Sequence, residues 1–405
     1  MVRAGREFLH TPGPTPIPDR VLNAMHRQAL DLSDPRLEEI SYSCMADLKE
    51  VFRTRAHVFL YACNGHGGWE AALANICAPG DTVLVPETGQ FSNGWARLAR
   101  HLDLEPVVVP GDWRHAIDPQ SVEDSLRKDT DHRIKAVLAV QTDTATGITS
   151  DIAAIREAMD AARHPALLAV DTIASLGTTP FDMDGWGVDV AIAASQKALM
   201  CPPGLAFVAA NERALLTARD TPRARSYWDW DMRLDGEFYQ NFAGTAPEHH
   251  IFALREALNM IAEQGLDAVF RRHERLARAT HRAVEAWSEG GALSFNAVIA
   301  EERARSVTTI LCDEGRALRT HARERLGVAL GGGLGKLEGK AFRIGHMGDV
   351  NEPMILGCLS TVELAMTEIG IPHGPGVRAA IDALAEDRAV AQGEDRDHAE
   401  PVPQD

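Results

Sequence analysis

Short apolar runs alternate with amphipathic stretches along most of this chain. "TVLVPE" (82–87), "PVVVP" (106–110), "IKAVLAVQ" (134–141), "ALLAVD" (166–171), "VDVAIAAS" (188–195) and "GLAFVAA" (204–210) read as strands. Each is apolar at successive positions, the mark of a strand covered by helices on both faces. Between them, "GWEAALANIC" (68–77) and "DIAAIREAMDAARH" (151–164) repeat apolar residues at helical spacing, with Ser150 placed to cap the second. Alternation of this kind predicts an α/β fold built on a mostly parallel sheet.

The pattern changes near Ala246. A long helical stretch follows, "IFALREALNMIAEQGLDAVFRRHERLARATHRAVEAW", and then a second α/β segment. There "SVTTILCDE" (306–314) and "KAFRIGHMG" (340–348) read as strands, with a helix over 315–327 and "VALGGGLG" (328–335) between them. The final stretch from about Asp387 is charged and ends in prolines, which predicts a tail without fixed structure. No internal repeat is visible.

A chain of 405 residues suits one large and one smaller domain. Acidic residues outnumber basic ones, 58 to 41, for a formal charge of −17. Such a surface disfavours nucleic acid and anionic membrane as partners. Cys44, Cys63, Cys77, Cys201, Cys312 and Cys358 form no CxxC pair, so neither a zinc knuckle nor a disulfide framework is indicated, and no metal is called for. The first residues lack a signal-peptide core, and no run reaches about 18 apolar residues. A cytoplasmic protein is expected.

Ligands of an open parallel sheet collect beyond the carboxyl ends of its strands. Thr144 and Thr146 follow one such end, Asp171 forms another, and Gln196 with Lys197 follows a third. Ahead of them "NGHGG" (64–68) opens a helix whose free N–H groups suit a phosphate, although without GxGxxG or a Walker lysine it reads equally well as a turn. A carboxylate ending a buried strand must cap, pair or line a cavity. A lysine at a strand end is a candidate imine-forming nucleophile. Together, a phosphate cup, an aspartate and a lysine meet the needs of pyridoxal phosphate: one joins its aldehyde, one pairs with its ring nitrogen, one holds its phosphate. Arg343, near the end of a strand in the second segment, offers a planar cation for a substrate carboxylate.

From about Thr11 to Leu384 the chain resembles the class V (fold type I) pyridoxal-phosphate aminotransferases, above all the serine–glyoxylate and alanine–glyoxylate enzymes. The resemblance rests on "TPGPTPIP", "GGWEAALANICAPGD", "TATG", "LLAVDTIASLG", "WGVDVAIAASQKALMCPPGL", "FALREALNMIAEQGL" and "FRIGHMG". It implies a large domain (15–260) with a mostly parallel seven-stranded sheet. A smaller α/β domain would comprise 1–14 with 261–386, leaving 387–405 as the tail. It implies pyridoxal 5′-phosphate as cofactor, Lys197 as the residue bonded to it and Asp171 as partner of its ring nitrogen. Thr144 would bond the ring oxygen and Phe91 would stack on the ring. Gly65, His66 and Gly67, with Gln196 beside them, would hold the phosphate. Thr245 would reach the phosphate of a neighbouring subunit, implying a homodimer with shared sites and leaving a tetramer open. Arg343 and Gly13 would bind substrate.

The activity implied is ping-pong amino transfer from a small L-amino acid, serine or alanine, to glyoxylate or pyruvate. Departures from the family's look leave the donor open. Asn64 and His66 stand where serines are usual, Thr142 and Asp143 where Asn and Glu are usual, and Phe242 where alanine–glyoxylate enzymes carry tyrosine. Glu248, His249 and His250 replace apolar or small polar residues. His249 and His250 are readable either as interface polar residues or as donors to a substrate side chain. The alternatives are aspartate–glyoxylate or pyridoxamine–pyruvate transfer, or a lyase of the desulfurase kind. The last needs a catalytic cysteine on a mobile loop, and Cys312 lies in a predicted strand. A dehydrogenase would show GxGxxG after its first strand, which is missing here.

Overall fold

The computed structural model of the chain describes residues 5–234 and 236–397. After a short strand β1 (Phe8–His10), the large sheet is assembled from β2 (His57–Tyr61), β3 (Thr82–Pro86), β4 (Glu105–Val109), β5 (Ile134–Val140), β8 (Leu167–Asp171), β9 (Val190–Ala194) and β10 (Ala206–Ala210), with a two-strand ladder of β6 (Thr142–Asp143) and β7 (Ile148–Thr149) beside it. Its order is β2-β10-β9-β8-β5-β3-β4. All pairings are parallel except those of β10, which runs antiparallel to both β2 and β9.

Every predicted strand of this sheet is present, and the reason they read as unbroken apolar runs is visible in the packing. Successive residues alternate between two cores. Val58, Leu60, Leu168, Val170, Ala191 and Ala193 face one, packed against the helices Pro35–Phe52, Ile152–Ala161 and Glu248–Gln264. Phe59, Tyr61, Leu167, Ala169, Val190 and Ile192 face the other, under the helices Gly65–Ile76, Gln90–His101 and Glu212–Asp220. Emptying a fully buried position such as Ile192 would cost about 2–5 kcal/mol.

A second sheet has the order β1-β13-β14-β12-β11, from β11 (Ser294–Phe295), β12 (Val307–Leu311), β13 (Val328–Gly332) and β14 (Ala341–Gly345). β1 joins it by parallel pairing with β13. A third core, including Trp287, Phe342 and Leu359, lies between this sheet and its helices.

Three expectations change. The long helical stretch is two helices, Glu248–Gln264 and Leu266–Ser288, broken at Gly265, whose φ of +81° glycine adopts without steric penalty. The cap of Ile152–Ala161 is Asp151, which accepts from Ala154 N, while the Ser150 hydroxyl accepts from Ile117 N instead. The last helix, Gly376–Asp397, runs past Asp387, where the tail was expected to begin; residues 398–405 lie outside the described ones. No helix among the described residues is long and apolar enough to cross a membrane.

Candidate active site

Because β10 runs antiparallel to both β2 and β9, those two point the same way, and the carboxyl ends of β2, β3, β5, β8 and β9 share one edge of the sheet. The turns leaving that edge carry Asn64–Gly68, Gly89–Phe91, Thr142–Thr146, Asp171 and Gln196–Lys197. This is where the predicted residues come together.

Lys197 is held by a stiff turn. The Ser195 hydroxyl donates to Pro202 O at 2.7 Å and accepts from Leu205 N, and Met200 N donates to Lys197 O. From the other end of the chain, Thr15 Oγ1 donates to Lys197 O at 3.0 Å and Thr15 N to Gln196 O at 3.2 Å. Nζ donates to Pro12 O at 2.5 Å. Burial, with Arg343 nearby, brings the Lys197 amine down to about 8, against the pull of Asp171 and Asp143. Gly13, expected to bind substrate, has a φ of +91°, and a Cβ there would lie 2.5 Å from Lys197 Cδ. Its missing side chain is the space the lysine occupies.

Asp171 is buried. Its Oδ1 accepts from Ile173 N at 2.7 Å and its Oδ2 from Trp69 Nε1 at 2.9 Å. Burial raises the carboxyl to about 7, with these two hydrogen bonds opposing. Trp69 is fixed in turn by stacking on Trp95, with centroids 5.5 Å apart, and by an edge contact from the half-buried Phe91. A depressed lysine and a raised carboxylate on one dry edge are the pairing expected of reactive groups.

Arg343 enters from β14, opposite Thr309 and Gly331. Its Nε donates to Gly332 O at 2.6 Å and its Nη1 to Thr144 O at 2.8 Å. Burial, then Arg319, lower it to about 10, while Asp143 opposes them. The planar cation expected from the sequence to meet a substrate carboxylate is thus half engaged. Nη2 alone has no protein partner among the described residues, and Nη1 must be shared.

The glycine cup starts the helix Gly65–Ile76. Asn64 caps it, accepting from His66 N at 3.1 Å and Gly67 N at 3.4 Å, so two of the N–H groups expected to be free for a phosphate are engaged by this side chain and must be shared with it. The glycines let this helix close on the sheet edge. A Cβ at Gly65 would meet Ile173 at 2.4 Å, at Gly67 Cys63 at 2.5 Å, and at Gly68 Ile192 at 2.8 Å. Near it, Gln196 keeps a buried Oε1 without a partner, and the Thr144 hydroxyl has none among the described residues. An amine, a buried carboxylate, a free hydroxyl and an orphaned amide beside a helix N-terminus fit pyridoxal phosphate.

Thr245 is exposed, and among the described residues it makes no hydrogen bond to this group. His249 and His250 have their Nε2 atoms on backbone carbonyls, of Arg27 at 2.9 Å and Pro203 at 3.3 Å. Those nitrogens are therefore occupied, which leaves only Nδ1 of each ring to meet a substrate side chain. Trp69, Pro12 and Thr15 were missed as site residues. For Trp69 a signal existed: a buried indole N–H needs an acceptor and Asp171 needs a donor. Pro12 and Thr15 carry no comparable signal, since their partners lie far along the chain.

A model of the family described as aminotransferase class-V matches residues 8–330. A serine–glyoxylate aminotransferase of Methylorubrum extorquens is 42% identical, over 95% of this chain and 97% of that protein. An L-aspartate–glyoxylate aminotransferase of Paracoccus denitrificans is 38% identical, over 94% and 97%. Among solved structures, a ureidoglycine–glyoxylate aminotransferase from Bacillus subtilis superposes with a TM-score of 0.85 at 28% identity, covering 94% of this chain and 99% of that one.

Proposed function

The chain belongs to the class-V aminotransferases, and on that premise we propose that it moves an amino group from a small L-amino acid, serine or alanine, to glyoxylate or pyruvate. It does so by a ping-pong mechanism with pyridoxal 5′-phosphate, in the cytoplasm. The observation that carries this reading is the meeting of Lys197, Asp171 and Arg343 at one edge, each with its proton affinity moved by burial.

When bound, pyridoxal phosphate supplies a carbonyl that amines can join and a ring that takes up electrons freed at the substrate's α-carbon. The rest belongs to the protein. Lys197 Nζ, lowered to about 8, is in part unprotonated near neutrality, so it can take the α-proton as a base and return it as an acid. Asp171, shielded with Trp69 and Ile173, would hold a proton on the ring nitrogen. Thr144 would bond the ring oxygen, Phe91 would cover the ring, and the Gly65–Gly67 segment with Gln196 would take the phosphate. Arg343 orients the carboxylate common to donor and acceptor, with Gly13 beside it. Residues 15–260 form the domain carrying Lys197, and 261–386 with 1–14 the domain carrying Arg343. The exposed Thr245 serves the site of a second copy, giving a homodimer.

The test is half a turnover. Protein loaded with pyridoxal phosphate is mixed with serine, alanine, aspartate or pyridoxamine in the absence of oxo acid, and the yellow absorbance is followed. Serine or alanine should bleach it and glyoxylate restore it. Bleaching by pyridoxamine alone, or by no amino acid, would overturn the reading.

A further inference from the structure

The helix Gln90–His101 carries Phe91 and begins at Gly89, which has no side chain to accept the first unpaired N–H groups. The acceptor comes from 52 residues away. Asp143 Oδ2 takes Phe91 N at 2.8 Å and Ser92 N at 3.3 Å. Its Oδ1 takes Ala145 N at 3.0 Å, and its backbone carbonyl takes Thr146 N and Gly147 N, closing the turn that holds Thr144. Gly89 is explained by the same arrangement, because a Cβ there would lie 2.5 Å from Asp143 Cγ. Burial raises this carboxyl, and the N–H groups of Ala145 and, at the helix N-terminus, of Phe91 and Ser92, with nearby Arg343, oppose that shift and favour its charge.

We propose that Asp143 is a positioning residue: its carboxylate caps the Phe91 helix from a separate strand, fixing Phe91 and Thr144 relative to each other and thereby the orientation of the cofactor ring. This rests on the reading of Phe91 and Thr144 as cofactor contacts. Both oxygens accept from N–H donors on different elements. An amide offers one oxygen only, and its NH2 must then face an N–H. Asp143→Asn therefore unties one of the two elements, while a glutamate would drive its extra methylene toward Gly89.

The experiment has three arms, on Asp143→Asn, on Gly89→Ala, which displaces an intact carboxylate, and on the double variant. Amide hydrogen exchange of the cofactor-free protein should quicken at Phe91, Ser92 or Ala145 by at least about tenfold. Affinity for pyridoxal phosphate should fall about 10–100-fold, as expected for a lost charge-assisted hydrogen bond. The visible circular dichroism of the bound cofactor, which reports ring orientation, should shrink in parallel. The double variant should be no worse than the poorer single one. If either single variant lowers the melting temperature alone, with cofactor affinity and visible dichroism as in the wild type, Asp143 is merely structural and the proposal is overturned. Should Phe91→Ala and Thr144→Ala leave cofactor affinity unchanged, the contacts themselves fail and the proposed consequence falls with them, while the exchange rates still report the cap.

Discussion

The indole N–H of Trp69 lies 2.9 Å from Oδ2 of Asp171, so a buried carboxylate draws part of its charge stability from a side chain locked in a stack with Trp95. Removing that donor leaves the desolvation of Asp171 less opposed and pushes its carboxyl above about 7. Trp69→Phe should lower kcat about 10–100-fold, the worth of a hydrogen bond to a charged group, with KM for the amino acid nearly unchanged. Steady-state kinetics with one donor check it. A variant with normal kcat and raised KM would place Trp69 in substrate binding instead.

Lys197→Ala should remove turnover and leave the protein folded. The side chain fills space beside Gly13 and makes one hydrogen bond to Pro12, so its loss is a small structural change. In the proposed role of nucleophile and proton carrier it has no replacement in water. Single-turnover assays and a melting curve test this together; transamination within about tenfold of wild type would remove Lys197 from the chemistry.

Arg343→Lys should be nearly as damaging as Arg343→Ala. An ammonium cannot hold Gly332 O and Thr144 O while also presenting a nitrogen to a carboxylate. The expected loss is roughly 2–4 kcal/mol in kcat/KM for amino acid and oxo acid alike. A defect confined to one of the two substrates would contradict a shared carboxylate site.

Acid should destabilise the second domain's core. His273 and His346 are buried and neutral, lowered by burial to about 3 and about 4. Between those values and the ordinary 6.5, the unfolded chain binds protons that the folded one does not. Stability is therefore full above pH 6.5 and falls on acidification, by about 1.4 kcal/mol per pH unit per histidine. Asp171, raised to about 7, works in the opposite direction in the cofactor-free protein and offsets one of them. His57 and His281 are lowered in the same sense, and Asp143 is raised like Asp171, so urea unfolding of that form at pH 7, 6 and 5 should show stability falling with pH, by at least about 1 kcal/mol per unit below pH 6. A flat profile would mean these histidines are protonated in the fold.

The parts legible in the sequence were those where one residue contradicts its surroundings. Strands buried on both faces read as apolar runs, and Asp171, Lys197 and Arg343 stood out as charges at or near the ends of such runs. β2, only "HVFLY", was passed over because a short run before a turn has no periodicity to read. The helices Pro35–Phe52, Gln90–His101 and Pro119–Lys128 were missed as well, each with a polar outer face that thins the apolar pattern. Asp143 reads in the sequence only as a residue standing where the family usually carries Glu. What it does depends on Gly89 lacking a side chain in another element, and such complementarity becomes visible only when both are in space. Pro12 and Thr15 were illegible for a related reason, since a backbone carbonyl can be contributed by any residue.

The strand β1 has a consequence for how the enzyme is made. It pairs with β13, and two residues beyond it Pro12 meets the amine of Lys197, 185 positions away. On the ribosome, Lys197 emerges long before the segment that anchors its partner. Phe8–His10 have no partner strand until residue 332 has been synthesised. The nascent chain therefore carries a lysine already set by its own turn, while the segment that brings Pro12 to its amine stays unanchored through the remainder of synthesis. A fusion that pulls on Phe8–His10 at the start of the chain will be felt at the lysine in its middle.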